Sequence, residues 1–303
     1  MGTPDFAVPC LEELIKSDNL VAAVYCQPDK PQGRSMTMTP PAVKVAAQKA
    51  GIMVYQPTTL RDGQALEQLK EINPDIIIVV AYGKILPKEI LDVPKYGCVN
   101  IHASLLPKYR GAGPIQWSVI NGEKETGVTS MYMGEGLDTG DMILTGKTDI
   151  HPDETAEELH DRLAIMGSKV LVDTVKLIAE GKAPRTAQDD NLATYAPMLT
   201  KETGRFDFTK SAKETHNLIR GCFSWPCAYT LFNGKKLKVF SSKIGGKYSG
   251  QPGTLVSDQQ LEIICGDGNT IILTEVALEG KKRNRGNDFI NGHRLKEGAI
   301  FGR

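Results

Sequence analysis

The sequence predicts an α/β chain: a mainly parallel sheet covered on both faces, followed by a small antiparallel barrel. Three observations predict it. Apolar runs rich in β-branched residues alternate with helical patterns through the first half. After residue 204 the helices thin out, and short strands follow one another with Gly-rich turns. Between the halves, "APRTAQDDNLATYAPMLTKETG" has no periodicity. The expected division is 1–182 for the first domain, 183–204 for a linker and 205–303 for the barrel.

Taken in order, "GTPDFAVPCLEEL" reads as a turn leading into a helix, with Pro4 and Asp5 suited to the entry. "LVAAVYC" (20–26), "DIIIVVA" (75–81), "GCVNIH" (97–102) and "TGVTSMYM" (126–133) read as strands. "PPAVKVAAQKAG", "GQALEQLKEIN", "KILPKEILD" and "PIQWSVING" read as the helices between them. Residues 153–181 form a long helical stretch opening on acids, which a helix N-terminus favours. In the second half "AKETHNLIRG" reads as a helix. "CAYTLF", "KLKVFSS", "GTLVS", "LEIIC" and "TIILTEVAL" read as strands.

No apolar run approaches the ~18–20 residues needed to span a bilayer, and the start lacks the pattern of a signal peptide. The six cysteines are scattered, with no C-x-x-C pair, so reduced thiols, a cytoplasmic location and no metal site are expected. Phosphate and dinucleotide loops are missing, which argues against an ATP or NAD enzyme. The zero net charge divides into −7 over residues 1–200 (19 Lys and Arg, 26 Asp and Glu) and +7 over 201–303 (17 and 10). A basic second half suits a polyanionic partner, although a merely solvated surface would read the same way.

The most informative stretch is "CVNIHASLLPKYRGAGPIQW" (98–117). Side chains alternate along a strand, so Asn100 and His102 share a face, their Cα atoms about 6.6 Å apart. A Gly/Pro loop follows at once, and ligands bind at the carboxyl ends of strands in such sheets. Histidine titrates near neutrality, and an asparagine amide can donate to a developing oxyanion. Cys98 lies about 13 Å from His102 along the strand, too far for a thiol–imidazole pair. Ser104 is nearer but has no nucleophile elbow around it. A histidine base usually needs an orienting carboxylate. The later loop "MGEGLDTGDM" (133–142) offers Glu135, Asp138 and Asp141, and spacing alone does not choose among them. Two satisfied polar groups at a strand end remain the alternative.

"NIHASLLPKYRGAGPIQW" together with "GLDTGDM" closely resembles the folate-dependent formyltransferases. The resemblance implies a Rossmann-like first domain, an OB-like second one, and a catalytic set of Asn100, His102 and Asp138. It also implies that Ser104, Leu105, Leu106 and Pro107 lie along the donor, 10-formyltetrahydrofolate, with no metal. "GTPDFAVPCLEEL", "QPDKPQGR", "IRGCFSWPCAYT" and "EGKKRNRGNDFINGHRL" resemble the members of that family acting on methionyl-tRNA, over nearly the whole chain. The implied partner is methionyl-initiator tRNA, met by a monomer through Arg34, Lys281, Lys282, Arg283 and Arg285. The rivals are a formyltransferase for a nucleotide-linked amino sugar, a hydrolase releasing formate to water, and a non-catalytic RNA-binding protein.

Two departures from the family stand out. The loop after "QPDKPQGR" is poorer in lysine here. The apolar strand that the family places before "GTPDF" is missing from a chain beginning at Met1. Two neighbouring strands should then lack partners and the chain should fold poorly unless another segment fills the gap, with the natural start lying upstream.

Overall fold

A computed structural model describes residues 1–33 and 36–303, so Arg34 lies outside the described residues. The chain forms two compact units. The first comprises Met1–Gly111, Glu125–Thr148 and His160–Ala196, the second Ala112–Lys124, Asp149–Leu159 and Pro197–Arg303.

Along the chain, a 3-10 turn (Asp5–Ala7) leads into α1 (Val8–Lys16) and β1 (Val24–Tyr25), then a hairpin of β2 (Lys30–Gln32) and β3 (Thr37–Thr39). α2 (Ala42–Lys49), β4 (Val54–Tyr55), α3 (Gln64–Ile72), β5 (Ile77–Val79), α4 (Lys88–Leu91) and β6 (Cys98–His102) follow. α5 (Pro114–Ile120) is counted with the second unit; β7 (Glu125–Tyr132), β8 (Met142–Asp149) and α6 (Ala156–Ala179) come next. At the start of α6, Glu158 N–H donates to Thr155 Oγ1 (3.2 Å) while Thr155 N–H donates to Glu158 Oε2 (2.9 Å), a reciprocal cap.

The site-bearing sheet has the order β5-β6-β7-β8. β5 runs parallel to β6 (Ile78 opposite Val99), and β7 runs antiparallel to it (Asn100 opposite Met131, His102 opposite Thr129). Val99 and Ile101 are buried on one face of β6, as a doubly covered strand requires. β1 pairs in parallel with β4. The expected strand over 20–26 thus pairs only at its end. β8 was not foreseen: it ends the sheet order, only Ile143 on it is buried, and it includes a glycine, so its strand signal is weak.

In the place where the strand before Gly2 is expected to be lacking, Met1 and Gly2 themselves lie. Gly2 N–H donates to Tyr25 O and Val80 N–H to Met1 O, both at 2.9 Å, and Gly2 forms a parallel bridge with Val80. Two residues thereby join the β1–β4 pair to β5. A cavity of about 350 Å³ lies beside them, lined by apolar side chains including Leu11, Val24, Ile76 and Ile78.

In the second unit, α7 (Ala212–Gly221) precedes β9 (Ala228–Phe232), β10 (Lys235–Lys247), β11 (Glu262–Ile264), β12 (Asn269–Leu278), β13 (Asn284–Arg285) and α8 (Gly286–His293). Ser211 and Glu214 cap α7 reciprocally. The antiparallel order is β11-β12-β10-β9, with β13 on β12. The C-terminal stretch closes the gap between the outer strands: Leu255 N–H donates to Ala299 O, Phe301 N–H to Gly253 O and Gly302 N–H to Leu231 O, each at 2.8 Å. The predicted strand at 253–257 contributes only isolated bridges, at Thr254 and Leu255. Phe208, Leu237, Leu255, Ile263, Leu273, Phe289 and Phe301 fill the core. The Phe301 ring stacks on Phe232 at 4.8 Å. Among the described residues no helix is long and apolar enough to cross a membrane.

Candidate active site

β6 presents Asn100 half-buried and His102 almost fully buried, on the face opposite Val99 and Ile101. The chain then leaves the sheet under the control of one β7 hydroxyl. Thr129 Oγ1 donates to Ser104 O (2.7 Å) and accepts from Leu106 N–H (3.2 Å). Ser104 is fully buried and donates its own hydroxyl to Lys108 O at 2.6 Å. Leu106 is buried, and Leu105 and Pro107 are half-buried. The Ser104–Pro107 stretch is therefore a packed turn whose serine serves the turn itself.

The next three residues fix the histidine and the acid together. Tyr109, in the left-handed region (φ 61), turns its carbonyl to His102, which donates from Nε2 at 2.9 Å. That bond assigns the Nε2 proton and leaves Nδ1 facing Asp138 Oδ2 at 3.7 Å. Gly111 N–H donates to the same Oδ2 at 2.8 Å. Asn100 Nδ2 lies 3.4 Å from Asp138 Oδ1. An amide donor, an imidazole nitrogen and a carboxylate thus converge at the carboxyl end of β6. Gly111 (φ 115) has no space for a side chain, since a Cβ would stand 2.8 Å from Ala196 O.

Asp138 is the acid brought to this point. Its backbone is also left-handed (φ 52), and its side chain is 13% exposed. Gln188 Nε2 donates to Asp138 O and Gly140 O, both at 2.8 Å. Gln188 Oε1 accepts from Arg110 Nε (3.0 Å), and the Arg110 guanidinium also meets Asp190 at 2.7 Å. Asp141 faces away to Arg185 at 3.3 Å, whose guanidinium lies over the Tyr132 ring. Glu135 is exposed. All six cysteines are free and buried, and burial pushes the Cys98 thiol up to about 12, far from a reactive thiolate.

The aperiodic stretch after residue 182 lies along both site loops. Thr186 bridges Met142, Tyr109 N–H donates to Thr194 Oγ1 (2.9 Å), Arg110 N–H to Thr194 O (2.8 Å) and Ala196 N–H to Arg110 O (2.7 Å). Reading the sequence missed Tyr109 O, Gly111 N–H, Arg110 and Gln188. Two are backbone groups with no side-chain signature, and Gln188 sits in a segment without periodicity. The left-handed Gly111 inside "YRGAGP" was the one available signal.

The expected tRNA contacts among the described residues belong to the second unit. Lys281, Lys282 and Arg285 are exposed around β13. Arg283 is engaged within the second unit, paired with Glu275 and lying over the Phe240 ring at 4.2 Å. No cluster of three or more His, Cys, Asp or Glu side chains able to hold a metal occurs among the described residues.

Comparison with known proteins extends this geometry. The formyl transferase family matches residues 1–175, and the formyl transferase C-terminal domain matches residues 198–294. The methionyl-tRNA formyltransferase of Geotalea uraniireducens is 47% identical over 305 residues, covering 100% of this chain and 97% of its own. That of Clostridioides difficile is 47% identical over 307 residues, with 100% and 98% covered. An N-formyltransferase from Helicobacter canadensis, solved with folinic acid and dTDP-3-aminofucose, has a TM-score of 0.70 at 22% identity, covering 90% of this chain and 96% of its own. At that identity the likeness speaks for the fold alone. From its fold and its full-length likeness, the chain belongs to the formyl transferase family, on the branch of the methionyl-tRNA formyltransferases.

Proposed function

We propose that the chain transfers the formyl group of 10-formyltetrahydrofolate to the α-amino group of methionyl-initiator tRNA, acting as a cytoplasmic monomer in translation initiation. The observation that carries this reading is the convergence of Asn100, His102 and Asp138, with Asn100 Nδ2 and His102 Nδ1 at 3.4 and 3.7 Å from the two carboxylate oxygens. Residues 1–182 carry Asn100, His102 and Asp138, 183–204 link the domains and also brace the site loops, and 205–303 bind tRNA through Lys281, Lys282, Arg283 and Arg285, with Arg34 contributing from the first domain.

His102 keeps its Nε2 proton on the Tyr109 carbonyl, so Nδ1 is the nitrogen that exchanges a proton with the reactants. As the amine attacks the formyl carbon, charge gathers on the formyl oxygen. Asn100 Nδ2 and protonated Nδ1 donate to it, each such donor typically worth about 2.7–4 kcal/mol. Asp138 supplies the negative charge opposite Nδ1 when the ring carries its second proton, and Gly111 N–H prevents that carboxylate from swinging away. On collapse Nδ1 gives its proton to N10 of the folate as the bond to the formyl carbon breaks, and the nitrogen so freed takes the proton that the amine loses. Ser104, Leu105, Leu106 and Pro107 border the folate as a packed turn, giving it a rigid edge.

A formyl-transfer assay offering charged initiator tRNA, charged elongator tRNA and an amino-sugar nucleotide side by side tests the reading. Formylation of the initiator tRNA in clear preference is expected. Preferential formylation of the sugar nucleotide would overturn it.

A further inference from the structure

We propose that Gln188 is a positioning residue for the reaction, holding the Asp138 loop in the one conformation that aims the carboxylate at His102, with Arg110 setting the direction of the Gln188 amide. The inference rests on the catalytic reading of Asp138 given above.

A guanidinium can only donate, so the end of the Gln188 amide that meets Arg110 Nε at 3.0 Å must be the oxygen. Its NH2 end is then committed to the loop, and each of its two hydrogens has one acceptor, Asp138 O and Gly140 O at 2.8 Å. Those carbonyls flank Thr139, so the amide staples the turn 138–140 from both sides. The turn needs a staple. Asp138 holds a left-handed φ of 52, which even an aspartate adopts at some cost that surrounding contacts must offset.

Arg110 is 3% exposed and anchored at its other end by Asp190. Its backbone is pinned on both sides, N–H to Thr194 O at 2.8 Å and carbonyl from Ala196 N–H at 2.7 Å. The residues next to it are Tyr109, which holds His102, and Gly111, which holds Asp138. Gln188 therefore carries the fixed position of 109–111 across to the backbone of the acid. Without it the carboxylate is held only through its own oxygens, by Gly111 N–H at 2.8 Å and the longer Asn100 Nδ2 contact at 3.4 Å, and its distance from Nδ1 is free to grow.

The test uses the full chain, with Gln188→Met (the same length, neither donor nor acceptor) and Gln188→Glu, which keeps an oxygen for Arg110 and turns a carboxylate toward the two carbonyls. The expected result is a loss of kcat of about tenfold or more, since displacements near 1 Å can cost about a hundredfold. KM for both substrates should stay within about twofold, because the lost interaction matters in the transition state. The pH–rate profile should change in the same direction as in Asp138→Asn. In the double variant Gln188→Met/Asp138→Asn the Gln188 effect should vanish, because there is no longer a carboxylate to aim.

A merely structural role would lower melting temperature and multiply with Asp138→Asn instead. Multiplying losses, or normal kcat in both Gln188 variants while Asp138→Asn is crippled, would overturn the positioning role and leave the catalytic reading standing. Normal kcat in Asp138→Asn would remove both. Should Gln188→Met fold poorly, kcat per folded molecule in Gln188→Glu decides between the same two outcomes.

Discussion

The site at the end of β6 and the barrel of the second unit are stabilised by different physics. The site is held by individually aimed hydrogen bonds, mostly to backbone: Tyr109 O, Gly111 N–H, Asp138 O and Gly140 O. Tyr109, Gly111 and Asp138 all sit at positive φ to make those bonds. The barrel is held by apolar area, with Leu237, Leu255, Ile263, Leu273 and Phe301 almost wholly buried, and it carries its cations outside. Directional contacts fail one at a time and abruptly. Area and exposed charge fail gradually, and the charge fails further as salt rises. Substitutions at the site should therefore move kcat in large single steps, whereas those on the barrel should move KM in small additive ones.

The largest effect should come from His102→Ala and Asn100→Ala, each lowering kcat by at least about a hundredfold with little change in folate binding. Steady-state kinetics and folate titration on both variants check this; near-normal kcat in either would show that the site is not the abrupt one. Next, Asp138→Asn should keep the Gly111 contact but lose its charge, costing about tenfold or more in kcat and changing the pH–rate profile. Asp141→Asn is the control within the same loop. It loses only a surface pair with Arg185, and should change kcat by less than about twofold.

On the barrel side, neutralising Lys281, Lys282 and Arg285 should raise KM for tRNA and reduce the log–log salt slope of binding by roughly three. Adding Arg283 to that set should lower the slope further but by less than each of the other three, because its charge is shared with Glu275 and its guanidinium lies over Phe240. A salt titration of binding separates the two sets. An unchanged slope would mean these cations are only solvated.

The smallest effect concerns stability. Burial and the nearby Arg220 lower the pKa of His216 below its ordinary 6.5, with Asp153 at 3.3 Å offsetting part of this. The neutral ring is thus the one the fold prefers. Its contribution is present in full above pH 6.5 and is lost as pH falls through the lower folded value. Denaturant midpoints should decline as the pH is taken down from about 7 to about 5. The decline should be shallower in His216→Gln.

The same contrast explains what the sequence reveals. Alternation along 98–102 placed Asn100 and His102 on one face because burial on the other face writes Val99 and Ile101 into the chain. The barrel strands were legible for the same reason, their apolar residues being needed for area. The pairing of Met1–Gly2 with Tyr25 and Val80 was not, because two residues carry no pattern. β8 hid behind its exposed residues, and α8 (GNDFINGH) behind a composition poor in helix formers. Spacing left Glu135, Asp138 and Asp141 equivalent; what separates them is the path of the loop, set by contacts from Gly111 and Gln188 that are distant in sequence.

The tripeptide 109–111 has a further consequence, for how this site can evolve. One peptide carbonyl and one peptide N–H, two residues apart, set the spacing of imidazole and carboxylate, and apart from proline at 111 no side-chain replacement deletes either group. Alanine scanning cannot isolate their contributions. An ester in place of the amide at Gly111, made by semisynthesis, would remove the N–H alone and expose its share. At position 109 the bond to His102 comes from the backbone, but the tyrosine side chain is itself buried, so replacements there must fill its space as well as tolerate a left-handed backbone. Position 111 has no space to fill: a single methyl group there would collide with the Ala196 carbonyl and pull the two reacting side chains out of register.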